Sequence, residues 1–496
     1  MPPFAFISLS SQNPNPINLN MENRIKSDQS HTAIVVGSGI AGLLSAHVLS
    51  KYFYQVILLE RDQLPDGPHF RQGVPQGFYG HALVTGGHRI LERFFPGLDN
   101  ELARLGGQAG DAQEDGLYYF RKGWLPQFES KLRSRASSRV QLEWLILKRV
   151  RTLENVNILE GHRVTDLIYD KETNNVVGVH VKDGSEKDSM VKTLLADLVV
   201  DASGRTSHAE SWLHSLGFTR PEQTVVRSGL RYASRRYIQT KEKRNWHLIA
   251  IVGPAHNPRN GAIYPEEHHR WVVCLSGIGN ELQANDNEGF EAFARKLESP
   301  LVYEAFRDAQ PISNVQCFRA TENRWRHYES MPHFPQRFIV IGDAACSFNP
   351  LFAQGMSVSA IAAATLEKCL ESHQRRQGLD DLTGFAKCFQ KRLSRDFRTP
   401  WVLATSEDQR HAEAGNSRLN WPMALMYWYA DRVLECALVN RQVCQASQEV
   451  VQMVSPLSSL AKPRIFLRVI WHGLKRRYGL QTPLPVTDVK EEMACD

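Results

Sequence analysis

Three glycines, spaced as Gly-x-Gly-x-x-Gly, join an apolar strand to a helix near the start of the chain and constrain its fold more than any other feature. The strand, residues 33–36, is typical of one buried on both faces. Gly37 permits a tight turn, Gly39 lets a pyrophosphate approach the backbone, and Gly42 allows close helix packing. The predicted helix, residues 40–52, would direct its N-terminal amides at the phosphates.

The next strand, residues 55–60, ends in an acid. Glu60 follows the glycines by roughly 20 residues, the separation expected of a carboxylate that binds an adenosine ribose. An ordinary acid at a strand end is the alternative. Because strand, glycine turn, helix and acid occur in the right order, the sequence predicts a dinucleotide-binding α/β unit.

Length and composition limit the class of protein. A chain of 496 residues is too long for one ordinary core, so we expect two or three packed units. The net charge of +6 is small, and the sequence has no basic stripe interleaved with aromatic residues, the pattern typical of nucleic-acid binding. Nucleic acid is therefore not expected as a partner. The eight cysteines contain no Cys-x-x-Cys pair, which indicates reduced thiols. The eighteen histidines form no metal-ligand pattern, so no metal site is predicted.

The first thirty residues differ from the rest. Residues 10–30 are rich in Asn, Pro, Ser and Gln, which predicts a disordered leader over 1–30. No later window holds the roughly 18 uninterrupted apolar residues of a membrane-spanning helix. A cytoplasmic location is therefore expected.

Strand and helix patterns divide the remainder into four ranges. These are 31–223 and 331–378 for the two parts of a dinucleotide-binding domain, 224–330 for an inserted mixed-sheet substrate domain, and 379–496 for a C-terminal helical region. Helices are predicted at 81–95, 141–151 and 355–372, and strands at 156–160, 164–169, 176–181, 197–201, 248–252, 271–275, 315–320 and 338–341. The predicted fold class is α/β, with a Rossmann-like domain, the insertion and the helical region.

Two further segments repeat the pattern of a buried strand followed by a glycine-containing turn. One is residues 201–207, Asp-Ala-Ser-Gly-Arg-Thr-Ser, and the other is residues 338–356, which contains Gly342 and Asp343. Ligands collect at this edge of an open α/β sheet. Asp343 can accept hydrogen bonds from a sugar-alcohol chain, and the amides near Gly355 can stabilise negative charge on a bound ring.

These segments, in this order and spacing, resemble the FAD-dependent monooxygenases of the aromatic hydroxylase and squalene epoxidase type. The resemblance covers about residues 31–372. In its details at 71–76, 138–143 and 324–328, the chain is similar to a microbial branch of natural-product pathways.

The resemblance implies a set of cofactor-binding residues. The glycines would hold the pyrophosphate, Glu60 the adenosine ribose, Arg139 the flavin phosphate or ribityl region and Asp343 the ribityl chain, while the 201–205 segment would serve both FAD and the nicotinamide donor. The full set is Gly37, Gly39, Gly42, Glu60, Arg61, Arg139, Asp201, Gly204, Asp343, Pro350, Gly355 and Met356. Two departures occur: Ala202 and Ser203 stand where a glycine usually follows the aspartate, and Ala353 stands where glycine is common.

The implied activity is hydroxylation or epoxidation of an apolar aromatic or polyene small molecule by O2, through a flavin C4a-hydroperoxide. NADPH or NADH would supply the electrons, directly or through a separate reductase. Because the flavin carries the chemistry, no catalytic residue is nominated.

Three alternatives remain. A flavin-dependent halogenase would usually carry a Trp-x-Trp-x-Ile-Pro segment and a lysine beside the flavin, and Trp325 lacks that pattern. An isoprenoid-type reductase would consume reducing equivalents without incorporating oxygen. A non-enzymatic lipid carrier would lose its flavin contacts, and Asp343 argues against it.

Several side chains have two interpretations. Arg71 and Gln76 lie in a loop that is either structural or in contact with the flavin, and His81 and His88 are expected on one helix face. Arg139 either contacts the flavin phosphate or ribityl region or is a solvated residue at the N-terminus of a helix. Cys346 is expected to be a small packed residue rather than a flavin attachment point. Tyr264, Trp271 and Arg231 either line a substrate cavity or, as we expect, serve sheet packing and surface pairs.

The C-terminal region is amphipathic at 423–429 and 464–471, and basic at 475–477. Packing against the FAD-binding domain is the expected role of its apolar face. Peripheral contact with an anionic membrane is the alternative.

Overall fold

The structure, a computed structural model, describes residues 31–478 apart from 122, 185–189, 228, 241–243, 255, 279–281, 283, 285, 319–321, 350–352 and 413–420. The predicted leader and Pro350 therefore lie outside the described residues.

The described chain contains twenty strands and twelve helices of more than one α-turn. The strands are β1 Thr32–Val36, β2 Gln55–Leu59, β3 Ala109–Asp111, β4 Gly116–Phe120, β5 Gly123–Trp124, β6 Arg133–Arg135, β7 Val156–Leu159, β8 His162–Asp170, β9 Asn175–Asp183, β10 Lys192–Leu195, β11 Leu198–Asp201, β12 Gln223–Val226, β13 Leu230–Ile238, β14 Leu248–Val252, β15 Asn260–Glu266, β16 Arg270–Ile278, β17 Gln316–Phe318, β18 Asn323–Arg326, β19 Phe338–Val340 and β20 Cys346–Ser347. The helices are α1 Ile40–Leu49, α2 Thr85–Phe94, α3 Leu98–Arg104, α4 Arg139–Val150, α5 Ala209–Ser215, α6 Asn287–Ala294, α7 Leu301–Phe306, α8 Gly355–Gln377, α9 Phe385–Ala412, α10 Trp421–Ala437, α11 Arg441–Val451 and α12 Pro463–Arg477.

A five-stranded parallel sheet, in the order β19-β11-β1-β2-β7, organises the larger core. The side chains of β1 are almost completely buried, as its β-branched sequence predicts. α1 packs on this sheet, and α4 and α8 pack against α1 in the same core. α9 contacts β19 and adds an apolar face whose Phe385, Phe389 and Phe397 are buried in this core. The predicted α/β fold class is confirmed.

A seven-stranded mixed sheet, in the order β17-β13-β16-β15-β14-β4-β5, forms the second layer. One face packs on α6 and α7 through residues such as Ile249, Ile263, Val273 and Phe290. Side chains of a strand alternate between faces, so the intervening residues point the other way, towards the first sheet. This alternation gives one sheet a closed apolar core on one side and a cavity wall on the other.

β4 and β5 lie within residues 31–223, the range predicted for the first part of the FAD-binding domain. In the structure they instead form the edge of the second sheet, where β4 pairs in parallel with β14 and β5 pairs with β4. Pairing between strands more than a hundred residues apart leaves no local signal. The domain boundaries otherwise stay a prediction.

Two predicted helices differ at their ends. The helix after the glycine turn ends at Leu49 rather than at residue 52. The helix expected at 81–95 begins only at Thr85, so His81 lies in the preceding loop and not on the helix face with His88. Tertiary contacts described below hold His81 in that loop. His88 Nε2 donates to the Asp99 carboxylate at 2.9 Å, as expected of a satisfied helix residue.

The C-terminal helices only partly follow the expected packing. α10, α11 and α12 form a small core of their own through Val433, Val443, Ile465 and Val469, to which Leu125 and Phe128 contribute. The expectation that the apolar face of α12 packs on the FAD-binding domain is wrong for Leu467 and Trp471, which are 66% and 61% exposed. No helix among the described residues is long and apolar enough to cross a membrane.

A buried ion pair pins the loop of residues 70–81 to the second sheet. Arg236 on β13 meets Glu266 on β15 at 2.9 Å and donates to the carbonyl oxygens of Phe78 and Gly77 at 3.0 and 3.3 Å. Burial raises the pKa of Glu266, and Arg236 opposes that rise.

We expect Arg236→Met to lower the free energy of unfolding by about 3–5 kcal/mol, because it leaves the Glu266 carboxylate buried without a partner. The double variant Arg236→Met/Glu266→Leu should recover a large part of this loss. Urea denaturation followed by circular dichroism measures both. A double variant no more stable than Arg236→Met would contradict the argument.

Candidate cofactor and substrate site

The glycine turn is built around a contact too close for any other residue. Gly37 has a φ of +96°, and a Cβ added at Gly42 would lie 1.8 Å from the Gly37 carbonyl oxygen. Gly37 itself rests against the backbone of Ala202 and Ser203, since an added Cβ would meet them at 2.8 and 2.9 Å. At Gly39, by contrast, an added Cβ would meet nothing within 4 Å. The turn is therefore closed towards the helix and open at Gly39.

Glu60 is buried and its carboxylate is held by several donors. Ser38 donates to it through its backbone N–H at 2.8 Å and its hydroxyl at 2.6 Å, and Arg71 lies 3.0 Å away. Burial alone would raise the pKa of Glu60, but Arg71 and the Ser38 bonds bring it below its usual value. The acid is thus ionised and oriented beside the turn, in the place predicted for a ribose-binding carboxylate.

Arg71 connects three elements and is more than a loop residue. Its guanidinium lies 2.9 Å from Glu143 on α4 and donates to the Ser38 carbonyl oxygen at 3.2 Å. It also lines the cavity described below, as does Gln76. The sequence leaves its role open between loop structure and flavin contact, because its carboxylate neighbours Glu60, Asp62 and Glu143 cannot be inferred from spacing.

Arg139 opens α4 directly after its cap. The Ser138 hydroxyl accepts from the Gln141 amide at 3.2 Å, and Glu267 accepts from the Ser138 amide at 2.7 Å, which fixes the start of the helix. The Arg139 side chain is only 13% exposed, so it is not the solvated residue of the alternative interpretation. It pairs with Glu143 at 3.3 Å, while its Nε is buried without a hydrogen-bond partner.

In the segment of residues 201–207, one residue is buried and supports the turn, and others line the cavity. Asp201 is fully buried, and its carboxylate accepts from the Ser203 amide at 3.0 Å and from the hydroxyls of Ser203 and Ser207. It does not line the cavity, whereas Gly204 and Arg205 do. Asp201 was predicted as a cofactor contact, but the structure gives it the place of a residue that shapes the turn.

The third segment brings Asp343 and the start of α8 to the same cavity. Asp343 lies 3.8 Å from Arg205, and Gly355 and Met356 follow it along the wall.

Gln354 is buried, yet neither its amide nitrogen nor its amide oxygen has a hydrogen-bond partner. Ala353 has a φ of +51°, the left-handed region that favours glycine, so the departure from glycine there strains the backbone. Cys346 is fully buried on β20 and is not part of the wall, as expected of a packed residue.

One cavity of about 540 Å³ joins the three segments. Of the predicted cofactor residues it is lined by Gly37, Gly39, Glu60, Arg61, Arg139, Gly204, Asp343, Gly355 and Met356. Gly42 and Asp201 lie behind the wall. The open space at Gly39 and the unpartnered Arg139 Nε and Gln354 amide are what a long dinucleotide with a phosphate bridge and a polar ring edge would complete, so the residues fit FAD.

The cavity continues along the inner face of the seven-stranded sheet. Adjacent strands place Ala250, Ala262 and Cys274 in one row, and Val252, Asn260, Ser276, Tyr232 and Phe318 in a second. Tyr79 and Phe348 close the space from the other side. The small residues of these rows, between the aromatic rings, leave space along this sheet face, which we call the slot.

The three candidate substrate residues in this sheet have different places. Tyr264 lines the cavity. Trp271 faces the other side and stacks on Trp246 at a ring distance of 5.5 Å, in the helix-covered core. Arg231 is not among the described lining residues. Tyr264 therefore has the position of the alternative interpretation, a cavity residue, and its contact with a substrate stays a prediction.

His81 was expected on a helix face, but it lies in the loop before that helix and lines the cavity. Burial, with the charges of Arg139 and Arg236, lowers its pKa to about 3, so the ring is neutral near pH 7. The Tyr-Gly-His sequence before a helix contains no periodic signal that would have found it.

Comparisons with known proteins agree with this architecture. The chain is 32% identical to protein Rv3254 of Mycobacterium tuberculosis over 359 residues, which cover 71% of this chain and 75% of that protein. It is 25% identical to violacein synthase of Chromobacterium violaceum over 354 residues, which cover 70% of this chain and 79% of that protein. No known protein-family profile matches the chain.

Solved structures share the fold at low sequence identity. The flavin-dependent brominase Bmp2 aligns with a TM-score of 0.63 at 15% identity, covering 91% of this chain and all of that one. PqsL, a probable FAD-dependent monooxygenase from Pseudomonas aeruginosa, aligns with a TM-score of 0.56 at 19% identity, covering 77% of this chain and 98% of that one.

The chain has the FAD-dependent monooxygenase-type fold, which flavin-dependent halogenases share, and the residues of its site fit FAD. Within that class, the chain belongs to the same family as protein Rv3254.

The second and third glycines of the turn, Gly39 and Gly42, allow a matched test of the cofactor site. Gly39 has a φ of −67° and a ψ of 177°, which any residue adopts. We expect Gly39→Val to raise the dissociation constant for FAD at least about tenfold, a cost of ~1.4 kcal/mol, while leaving the thermal midpoint of the FAD-free protein unchanged. Fluorescence titration of FAD and thermal denaturation measure the two effects.

Gly42→Ala is the control, because its Cβ would strike the Gly37 carbonyl oxygen. It should destabilise the FAD-free protein by roughly 3 kcal/mol. If Gly39→Val bound FAD as tightly as the unmodified protein, the phosphate position assigned to this turn would be wrong.

Proposed function

We propose that the protein is an FAD-dependent monooxygenase that hydroxylates or epoxidises an apolar aromatic or polyene small molecule of natural-product metabolism. The observation that carries the proposal is the single cavity, which runs from the glycine turn to the aromatic-lined sheet face. A dinucleotide held by the three segments would place its ring end beside this slot. Similarity to violacein synthase supports the choice of a natural-product substrate.

The residues around the slot bind, orient and exclude water. Tyr79 donates from its hydroxyl to the Cys317 carbonyl oxygen at 3.0 Å, and its ring meets that of Phe318 at 5.0 Å, which ties the loop over the sheet. When bound, FAD supplies the activation of O2. Glu60, Arg139 and Asp343 would hold the cofactor, and the apolar side chains of the slot would limit the access of water to the reacting ring.

A halogenase is the competing function on this fold, and one observation argues against it. Flavin-dependent halogenases usually place a lysine beside the flavin. No lysine occurs among the described residues that line the cavity. The electron donor in the proposal is NADPH or NADH, used directly or through a separate reductase.

Oxygen labelling separates these reactions. We expect the FAD-loaded protein, given NADPH or NADH, 18O2 and a panel of aromatic and polyene compounds in the presence of bromide and chloride, to give a product that carries one labelled oxygen atom in its mass spectrum. The Gly39→Val variant controls for background chemistry of free flavin. Halogenated products would favour a halogenase, and reduced products without label would favour a reductase; either result would contradict the proposal.

The location proposed is cytoplasmic, with α12 in peripheral contact with an anionic membrane. Leu467, Trp471, Leu474 and Tyr478 form an exposed stripe at helical spacing, and neighbouring α10 exposes Leu425 and Trp428. The α12 sequence contains five Lys or Arg residues, Arg464, Arg468, Lys475, Arg476 and Arg477, and no acid. An apolar stripe rimmed by positive charge matches the chemistry of an anionic lipid surface.

We expect the protein to co-sediment with vesicles of phosphatidylcholine and phosphatidylglycerol, less so at high salt, and not with phosphatidylcholine alone. Leu467→Ser/Trp471→Ser should abolish this binding. Tyr54→Ser, which removes an equally exposed ring outside these helices, should not (Tyr54 is 73% exposed). Binding that survives the α12 changes, or a stripe that instead mediates dimers in sedimentation analysis, would contradict the membrane proposal.

A further inference from the structure

Two polar rings mark the far end of the substrate slot. His81 and Tyr264 line both the main cavity and a smaller chamber of about 90 Å³ beyond it. They therefore stand at the boundary between the two spaces, where a ligand in the slot would end.

The position of His81 is enforced by the residue before it. The Gly80 amide donates to Cys274 Sγ at 3.3 Å, and a Cβ added at Gly80 would lie 2.5 Å from that sulfur and 2.8 Å from Cδ2 of Tyr264. The loop backbone thus presses directly against the sheet. Arg236 holds the same loop two residues earlier through the Phe78 carbonyl oxygen.

The hydrogen bond of the ring fixes its tautomer. His81 Nδ1 lies 2.9 Å from the Tyr79 carbonyl oxygen, which can only accept, so Nδ1 carries the proton. The neutral ring then offers a lone pair at Nε2. Within the described part of the chain, this ring makes no other hydrogen bond. Its Nε2 atom is not among the fully buried polar atoms, so it keeps some exposure in the space that the ring lines.

Polar groups at the near end of the slot are already paired with one another. Asn260 donates to the Ser276 hydroxyl at 3.2 Å and accepts from the Gly253 amide at 3.1 Å. The Tyr232 hydroxyl donates to the Asn349 side-chain oxygen. Among these polar groups and His81, the His81 Nε2 atom is the acceptor that has no hydrogen bond within the described part of the chain.

We propose that the substrate carries a hydrogen-bond donor, a phenolic hydroxyl or a ring N–H, and that Nε2 of His81 accepts this bond and so sets which edge of the substrate faces the cofactor. The inference rests on the proposed function and narrows its substrate class to aromatic compounds with such a donor. His81 is a positioning and specificity-determining residue, since its low basicity suits it to accept a hydrogen bond rather than to keep a proton.

Binding of matched probes to the oxidised FAD-loaded protein tests the proposal without turnover. The probes are 2-naphthol, which has a donor, and naphthalene and 2-methoxynaphthalene, which are smaller and larger and have none. Perturbation of the visible absorbance of the bound flavin reports each dissociation constant. We expect the preference for 2-naphthol over both others to fall about tenfold in His81→Phe, the value of one buried hydrogen bond. His81→Gln, which restores an acceptor near the Nε2 position, should recover part of it.

Tyr264→Phe is the matched control, because it removes a hydroxyl from the same boundary and should keep the preference. A purely structural role of His81 would weaken all three probes equally and leave their ratio unchanged, which would overturn the proposal. So would a preference that depends on Tyr264, or failure of 2-naphthol to bind the unmodified protein. FAD content and circular dichroism verify that each variant is folded. Failure of the proposed function would instead appear in the labelling experiment, as halogenated or unlabelled products.

Discussion

The contact between the Gly37 carbonyl oxygen and the Gly42 backbone is the constraint on which the site depends. It brings α1 so close to the end of β1 that a Cβ at Gly42 would lie 1.8 Å from that oxygen. The same turn rests on Ala202 and Ser203, which the buried carboxylate of Asp201 holds in place. Two neighbouring strands of the parallel sheet therefore share one rigid edge, and the helix amides that follow are aimed at a fixed point.

The loop of residues 70–81 joins this edge to the second sheet. Arg71 ties its beginning to Glu60 and Glu143, and Arg236 ties its end to Glu266. Each guanidinium is buried and paired with a carboxylate, and each also donates to a backbone carbonyl oxygen, Arg71 to that of Ser38 in the glycine turn and Arg236 to that of Phe78 in the loop. The loop of residues 70–81 thus contributes both Arg71 and His81 to the wall of the same cavity.

The sequence was sufficient for the parts of the molecule governed by local rules. The glycine turn, the strands at residues 55–59 and 198–201 and the helix at Gly355 follow from steric limits and periodicity, and each was predicted within a few residues. The roles of Arg71, His81 and Tyr264 were not predictable, because they depend on contacts between distant segments. Asp201 shows a related limit. The sequence identifies the segment of residues 201–207 as part of the site, but only the packed structure shows that Asp201 is buried behind the cavity wall and supports the turn.

Ala353 illustrates how a departure from a family pattern acquires meaning only from backbone geometry. An alanine in place of glycine is harmless at ordinary φ, but at +51° it stores strain directly before the buried Gln354 and the start of α8. Gln354, in turn, has both amide atoms without partners at this end of the cavity. Strain and unpaired polar atoms cost stability in the empty protein, and a cofactor that pairs with Gln354 would offset part of that cost. The same residues that weaken the unliganded wall therefore favour a ligand at this end of the cavity, which is where the proposed function expects the flavin ring.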